Sequence, residues 1–423
     1  MTRNLRTCAV LSLTCAGIIF RAGFAGADDA EVERALTCER KLTREEFRVF
    51  ALQNSPLVAE FEGEHAKELA RAVDARTLQN PELDAERTFT TMELEGAHDP
   101  QTQLSLSQPF RFSHFGARTR FAELIAKSGD VQKRARLFEF GQKLIVQFET
   151  LSAIQQTQEL IQSAEVRAAE KVKLIRAGVK KGLLSEGDEK LFEGEQYRLQ
   201  AQRKATSYSA AMLQSDLSKT LGLPCGVVAT PARSSNPIPS VGELLRKASE
   251  SEFSEGARIS ILTRVTKEQA RVAQLDAFPS LTPRLIYQHT NDGGDFFGAG
   301  ITVPLPFWNT NQGERKRATA ELDVAEARAR FLAEGGLEHQ VFNLRVAAVS
   351  AHEQATIFAT KVVPSFEAAL RAQEKLYNEG KGSVLQVWQT LRAFNEVQAQ
   401  SLELWLQAVT ARGELSILIG EEI

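Results

Sequence analysis

Six histidines, four cysteines and three methionines are the side chains from which a soft or borderline metal site would be built in this 423-residue sequence. Their spacing speaks against one. His65, His98, His114, His289, His339 and His352 never fall three or four residues apart, so no helical turn offers a pair of imidazoles to one ion. Cys38 and Cys225 are too far apart in sequence for a local metal motif. Glu186 and Asp188 sit beside glycines and read as solvation of a turn rather than as an acid and its base. No glycine-rich phosphate loop is present. The expectation is a protein that is not an enzyme and needs no cofactor or metal. A net charge of −3 with 25% charged residues, and no basic run interleaved with aromatics, gives nucleic acid no footing either.

What the sequence does repeat is a set of residues that shape backbone. Pro109-Phe110, five residues and Gly116 are matched by Pro306-Phe307, five residues and Gly313, with arginines two and four positions beyond each glycine. A proline closes strand pairing, because it has no N–H, and a glycine frees the change of direction that follows. Pro109, Phe110, Gly116, Pro306, Phe307 and Gly313 are therefore read as two strand-to-helix junctions. Substitution of Gly313 is expected to impair assembly.

The flanks repeat as well. Lys67-Glu68 pairs with Lys267-Glu268, Lys173-Leu174 with Lys375-Leu376, Gln200-Ala201-Gln202 with Gln398-Ala399-Gln400, and Leu221-Gly222 with Ile419-Gly420. On this pairing the first copy carries about four extra residues after Lys173. The expected organisation is a signal peptide over 1–27, a first repeat over 28–224, a linker over 225–240 and a second repeat over 241–423. The signal is read from Arg3 and Arg6, the apolar run Cys8 to Phe20 and the small residues Ala25-Gly26-Ala27.

Within each repeat the pattern runs helix, strand hairpin, long helix, shorter return helix. Thr43 to about Thr77 is helical, with a capping box at Thr43 and Glu46 and a break near Ser55 ahead of Pro56. Alternation marks strands at about 83–95 and 101–108, and again at about 284–290 and 297–305. Leu104 and Leu106 alternate with Gln103, Ser105 and Ser107, as on a wall with one lipid face and one wet face. No proline interrupts Pro109 to Pro224, and Leu137, Leu144 and Leu151 recur by seven. A helix from about Phe115 to Val179 would be ~98 Å long, and the return helix only ~55 Å. The helix near Thr43 to Thr77 supplies the missing ~52 Å, so the two shorter helices are expected end to end. In the second repeat, Val363-Pro364 marks a kink and Gly335-Gly336 a softer point.

Val303-Pro-Leu-Pro-Phe-Trp-Asn309 leading into Asn311-Gln-Gly-Glu-Arg315, together with Val363-Pro364, Tyr377-x-x-Gly380 and Asn80-Pro-Glu-Leu83, resembles the TolC-like outer-membrane efflux protein family, most closely its CzcC-like branch serving heavy-metal cation exporters. The likeness covers nearly all of the mature sequence. It implies a mixed α and β fold, with long antiparallel α-helical hairpins forming a tunnel and four β-strands per chain completing a twelve-stranded trimeric transmembrane β-barrel. It further implies a homotrimer in the outer membrane of a Gram-negative bacterium, in contact with outer-membrane lipid, with its helices in the periplasm. The function implied is a passive duct that works with an inner-membrane efflux pump and a periplasmic adaptor. Drug efflux, protein secretion or a poreless periplasmic scaffold are the alternatives. The adaptor is expected to dock at the helical tips: Gly178, Gly182, Leu183 and Ser185, and Gly380, Gly382 and Ser383. Because the stacked helices bring their flanks to one level, Cys38 and Cys225 form a candidate disulfide, with two free thiols as the other outcome.

Overall fold

The computed structural model describes residues 39–88, 101–222, 226–229, 237–290 and 293–423. The signal peptide, the hairpin turn near Gly96, Cys38 and Cys225 lie outside them.

The first half opens with β1 (Glu39–Leu42), α1 (Arg44–Asn54) and α2 (Pro56–Arg76). Thr43 and Glu46 form the expected capping box, and Pro56 starts α2 where its missing N–H leaves no partner wanting. The strand hairpin follows as β2 (Glu82–Arg87) and β3 (Gln101–Ser107), then α3 (Ala117–Lys180) and α4 (Glu186–Leu221). At 64 residues, α3 is an unbroken rod of ~96 Å. Leu144, Leu151, Ala168 and Ile175, four of the positions spaced by seven, are buried along it.

The second half repeats the order: α5 (Val241–Glu250), α6 (Glu255–Leu275), β5 (Thr282–Thr290), β6 (Asp295–Thr302), a segmented rod, and α10 (Val384–Ile419). The rod consists of α7 (Gln312–Phe331), α8 (Leu337–Ile357) and α9 (Val363–Asn378). Wide π-type turns at Leu332–Gly336 and Phe358–Val362 join the three segments. The first contains Gly335 at φ +100°, and at Gly336 a side chain would strike the Phe331 carbonyl oxygen.

These turns explain an arithmetic difference between the halves. Buried positions recur by seven within segments: Ala318 and Ala325, then Val341, Ala348 and Ala355, then Leu370. Across the first turn the step is 16, and across the second it is 15, where two heptads need about 14. The turns thus absorb two residues and one. Gly116 to Gly182 spans 66 residues and Asn311 to Gly380 spans 69, the same excess of three. A rod with extra residues keeps one face inward by widening locally.

The return helices stack as the lengths require. The end of α4 at Gly222 lies against Asn54 and Pro56, at the break between α1 and α2, and the end of α10 at Gly420 lies against Phe253 and Ser254, between α5 and α6. Around the first contact sits the largest buried cluster, with Phe47 and Ala51 of α1, Phe148 of α3, and Leu217 and Leu221 of α4. The Phe47 and Phe148 rings are 5.2 Å apart. Residues 225–240, read as a linker, contain a strand, β4 (Gly226–Ala229), which pairs in parallel with β1 and seals this cluster with Val227 and Ala229.

Two expectations need correction. The return helices α4 and α10 have 36 residues each, and Gly182, Ser185 and Gly222 correspond one for one to Gly380, Ser383 and Gly420. The first half therefore has no four-residue excess at its tip; the Lys173-Leu174 likeness to Lys375-Leu376 is out of phase with the structure. At the second junction the left-handed residue is Asn311 (φ +57°), whereas Gly313 lies inside the first turn of α7 with open space around it. The counterpart of Gly116 (φ +95°) is thus an asparagine, which tolerates that region better than other residues with side chains.

Candidate functional site

The two hairpins come together as one antiparallel sheet in the order β2-β3-β5-β6. Residues directly opposite across a ladder share a face, so the registers sort every side chain. Leu83 and Ala85, Leu104 and Leu106, Leu285 and Tyr287, and Phe297 and Ala299 lie on one face. Glu82, Asp84 and Glu86, Gln103, Ser105 and Ser107, and Arg284 and Gln288 lie on the other, together with Ile286 and Phe296. The apolar face is open: Leu83 is 72% exposed, Leu285 62% and Phe297 84%. The polar face is tied by its own bonds, Gln288 Nε2 donating to Gln101 Oε1 at 2.6 Å and Arg284 standing 3.6 Å from Asp84. The outer strands β2 and β6 each leave an edge without a ladder partner among the described residues. Among the described residues no helix is long and apolar enough to cross a membrane, which bears on helices only.

Each junction is built differently. At the first, the Phe110 and Leu281 backbones bond to each other in both directions at 2.8 Å, extending the β3–β5 ladder past Pro109. A short 3-10 turn, Phe112–His114, then swings the backbone to Gly116 and α3. Asp276, at the end of α6, ties this corner down. Its carboxylate accepts from Arg118 Nη2 at 2.6 Å and from the Ser113 hydroxyl by a short bond, with Arg111 at 3.7 Å. Burial, and next the charge of Arg118, hold His114 below the ordinary histidine pKa, and its Nδ1 accepts the Arg111 N–H at 3.1 Å, as only a neutral ring can. The Asp276 network was not foreseen. Ser113 and Arg118 lie in the repeated stretch, but a partner some 160 residues away leaves no local pattern.

At the second junction Pro306 leads to Phe307 and Trp308, which are 74% and 90% exposed. Their rings meet edge to face at 5.9 Å.

At the far end of the rods the two tips lie side by side. Val172, Ile175 and Phe192 of the first hairpin share a buried cluster with Val384 of the second, flanked by Tyr377 and Trp388. Gly182 and Gly380 hold φ +69° and +72°, so they are turn residues by necessity. Gly178 leaves room for Leu184, and at Gly382 a side chain would press on the Tyr377 backbone. Ser185 and Ser383 cap the return helices, each in a capping box. Leu183, at 75% exposure, is the most exposed of the large hydrophobic side chains at the described tips. Beside it Arg176 donates to Glu189 at 2.8 Å and Glu193 at 2.7 Å. Hydrogen bonds from Lys190 and Arg176 keep Glu193 below the usual carboxylate range.

No group of histidine, cysteine and carboxylate side chains among the described residues could hold a metal ion.

Residues 261–421 match the family model described as outer membrane efflux protein. No curated protein matches the chain. Among solved structures, CusC, studied for the conformational changes that accompany folding and transmembrane channel formation, superposes with a TM-score of 0.71 at 14% identity, over 89% of this chain and 92% of its own. The outer membrane protein VceC from Vibrio cholerae gives 0.66 at 16% identity, over 87% and 95%. The MtrE outer membrane channel of Neisseria gonorrhoeae, in its open state, gives 0.70 at 14%, over 90% and 89%. The chain shares the fold of these three structures.

Proposed function

We propose that this protein is the outer-membrane channel component of a tripartite efflux system, a passive exit duct that assembles as a homotrimer. The observation that carries the reading is the sheet: an uncovered apolar face, a polar face behind it and two open edges, mounted on rods of ~96 Å. Open strand edges are not tolerated in lipid, so a four-stranded sheet of this kind must close with others. Three copies would give a twelve-stranded barrel, and their rods a tunnel into the periplasm. The family match to residues 261–421 supports the same reading.

An adaptor and an inner-membrane pump are the partners in this reading, and the pump supplies the energy. Docking falls to the tips around Leu183 and Ser185 and around Gly380, Gly382 and Ser383. The substrate class proposed is heavy-metal cations, on the likeness of the second junction to cation-efflux relatives. Such a duct passes its cargo without a binding site of its own.

Fractionation tests the placement. The mature protein should stay in the outer-membrane pellet through a high-salt wash. Recovery in the soluble periplasmic extract would reject the duct in favour of a scaffold. For the tips, Leu183→Glu is a better probe than any glycine replacement, because Gly182 and Gly380 are needed for the turns themselves. The variant should form normal trimers and lose metal resistance; full resistance would remove Leu183 from the docking surface.

A further inference from the structure

We infer that the second junction is a lipid-interface anchor, with Phe307 and Trp308 in the headgroup layer at the helical edge of the membrane and Arg315 and Lys316 engaging the phosphates of anionic phospholipids. This rests on the outer-membrane reading above.

Residues 301–310 are exposed without interruption. Seven of them, Ile301, Val303, Pro304, Leu305, Pro306, Phe307 and Trp308, are apolar. An exposed apolar run of this kind calls for a cover from outside the chain. It continues the apolar sheet face, since Phe297, Ala299 and Ile301 alternate along β6 toward it. The cover of that face is therefore the cover of the junction. Where the run ends stands a tryptophan, whose flat ring and single N–H suit the boundary between acyl chains and water.

Charge follows directly. Arg315, Lys316 and Arg317 are exposed in the first turns of α7. Arg317 is engaged by Glu321 at 3.0 Å and Glu314 at 3.9 Å. Arg315 and Lys316 are the contrast: no ion pair within the chain joins them among the described residues. At the first junction the cations are consumed, Arg118 and Arg111 by Asp276 and Arg120 by Glu268 at 3.6 Å. Two uncommitted cations beside an exposed aromatic pair complement an anionic lipid surface.

The test uses the full-length protein with Trp388→Phe and Trp405→Phe, leaving Trp308 as the sole tryptophan. It is reconstituted into phosphatidylcholine vesicles containing brominated phosphatidylglycerol or brominated phosphatidylcholine. Co-flotation with the vesicles is scored first. Trp308 should be quenched more by bromines near the headgroup than by bromines near the chain ends. Anionic lipid should be favoured at the site by about fivefold per cation, and the preference should vanish in Arg315→Gln/Lys316→Gln. Flotation with an unquenched Trp308 would overturn the inference alone and place a second copy over the junction. Quenching without anionic preference would overturn the role of Arg315 and Lys316. Failure to float would overturn the outer-membrane reading and this inference with it.

Discussion

At the scale of single residues, Asp276 ties the first strand-to-helix junction to the end of α6. Its side chain is 9% exposed and that of Arg118 19%, so the pair works in a poorly hydrated corner. Asp276→Ala would leave Arg118 there without its partner, at a cost on the order of 2–4 kcal/mol. Thermal unfolding of the solubilised protein should show a lower Tm; an unchanged Tm would mean that Arg118 finds water instead. A second residue-scale prediction concerns Cys38 and Cys225, which lie outside the described residues. The strands that follow them are paired in parallel with Glu39 opposite Gly226, and the two cysteines immediately precede that pair in sequence. Neighbouring strands run about 4.8 Å apart, within the Cα separation a disulfide needs. We propose that the bond forms in the oxidising periplasm, stabilising by up to roughly 5 kcal/mol through so long a loop. Mass spectrometry of alkylated, unreduced mature protein should find neither cysteine modified. Two alkylated cysteines per chain would reject the bond.

At the scale of elements, the two rods differ in a way that a deletion can read. Removing Thr360, within Phe358–Val362, takes out the one residue by which that turn exceeds the heptad count, so α8 and α9 should come into one register with Leu370 still buried and a kink kept at Pro364. Removing Gln156 from the unbroken α3 has no such slack. Every buried position beyond it, Ala164, Ala168, Val172 and Ile175 among them, would turn by about 100°. Outer-membrane yield should be near normal for the first deletion and collapse for the second; equal yields would refute the register account. Much at this scale was legible in the sequence. The long rod, the break at Ser55, the soft points near Gly335 and Pro364 and the end-to-end helices followed from proline, glycine and length. What was not legible has physical reasons. An asparagine can take the left-handed position that glycine takes in the other half, so matching glycine to glycine misplaced the second junction by two residues. Likewise β1 and β4, four residues each, are too short to display alternation, and their pairing spans most of a repeat.

At the scale of the whole molecule, the decisive fact is that β2 and β6 are edges. In water an edge can be left to hydration, but on a sheet whose apolar face meets lipid each unpaired N–H and C=O costs several kcal/mol. Among the described residues neither strand has anything further to pair with, because both hairpins are already in the one sheet. In the duct proposed above the edges would meet those of other copies, β6 of one chain against β2 of the next. A head-to-tail contact of this kind closes into a ring only if its rotation allows, and twelve strands in three copies enclose a pore where a lone sheet encloses nothing. Cysteine pairs placed on the two edges test this directly, with Cys38 and Cys225 replaced by serine to silence the background. Asp84→Cys on β2 and Gly298→Cys on β6, with neighbouring positions scanned because the register between chains is open, should give oxidative cross-links that build a ladder of two and three copies and stop there. Either single cysteine alone should not cross-link. A ladder that runs past three copies would mean an open filament or a larger barrel, and cross-links confined within single chains would refute shared closure.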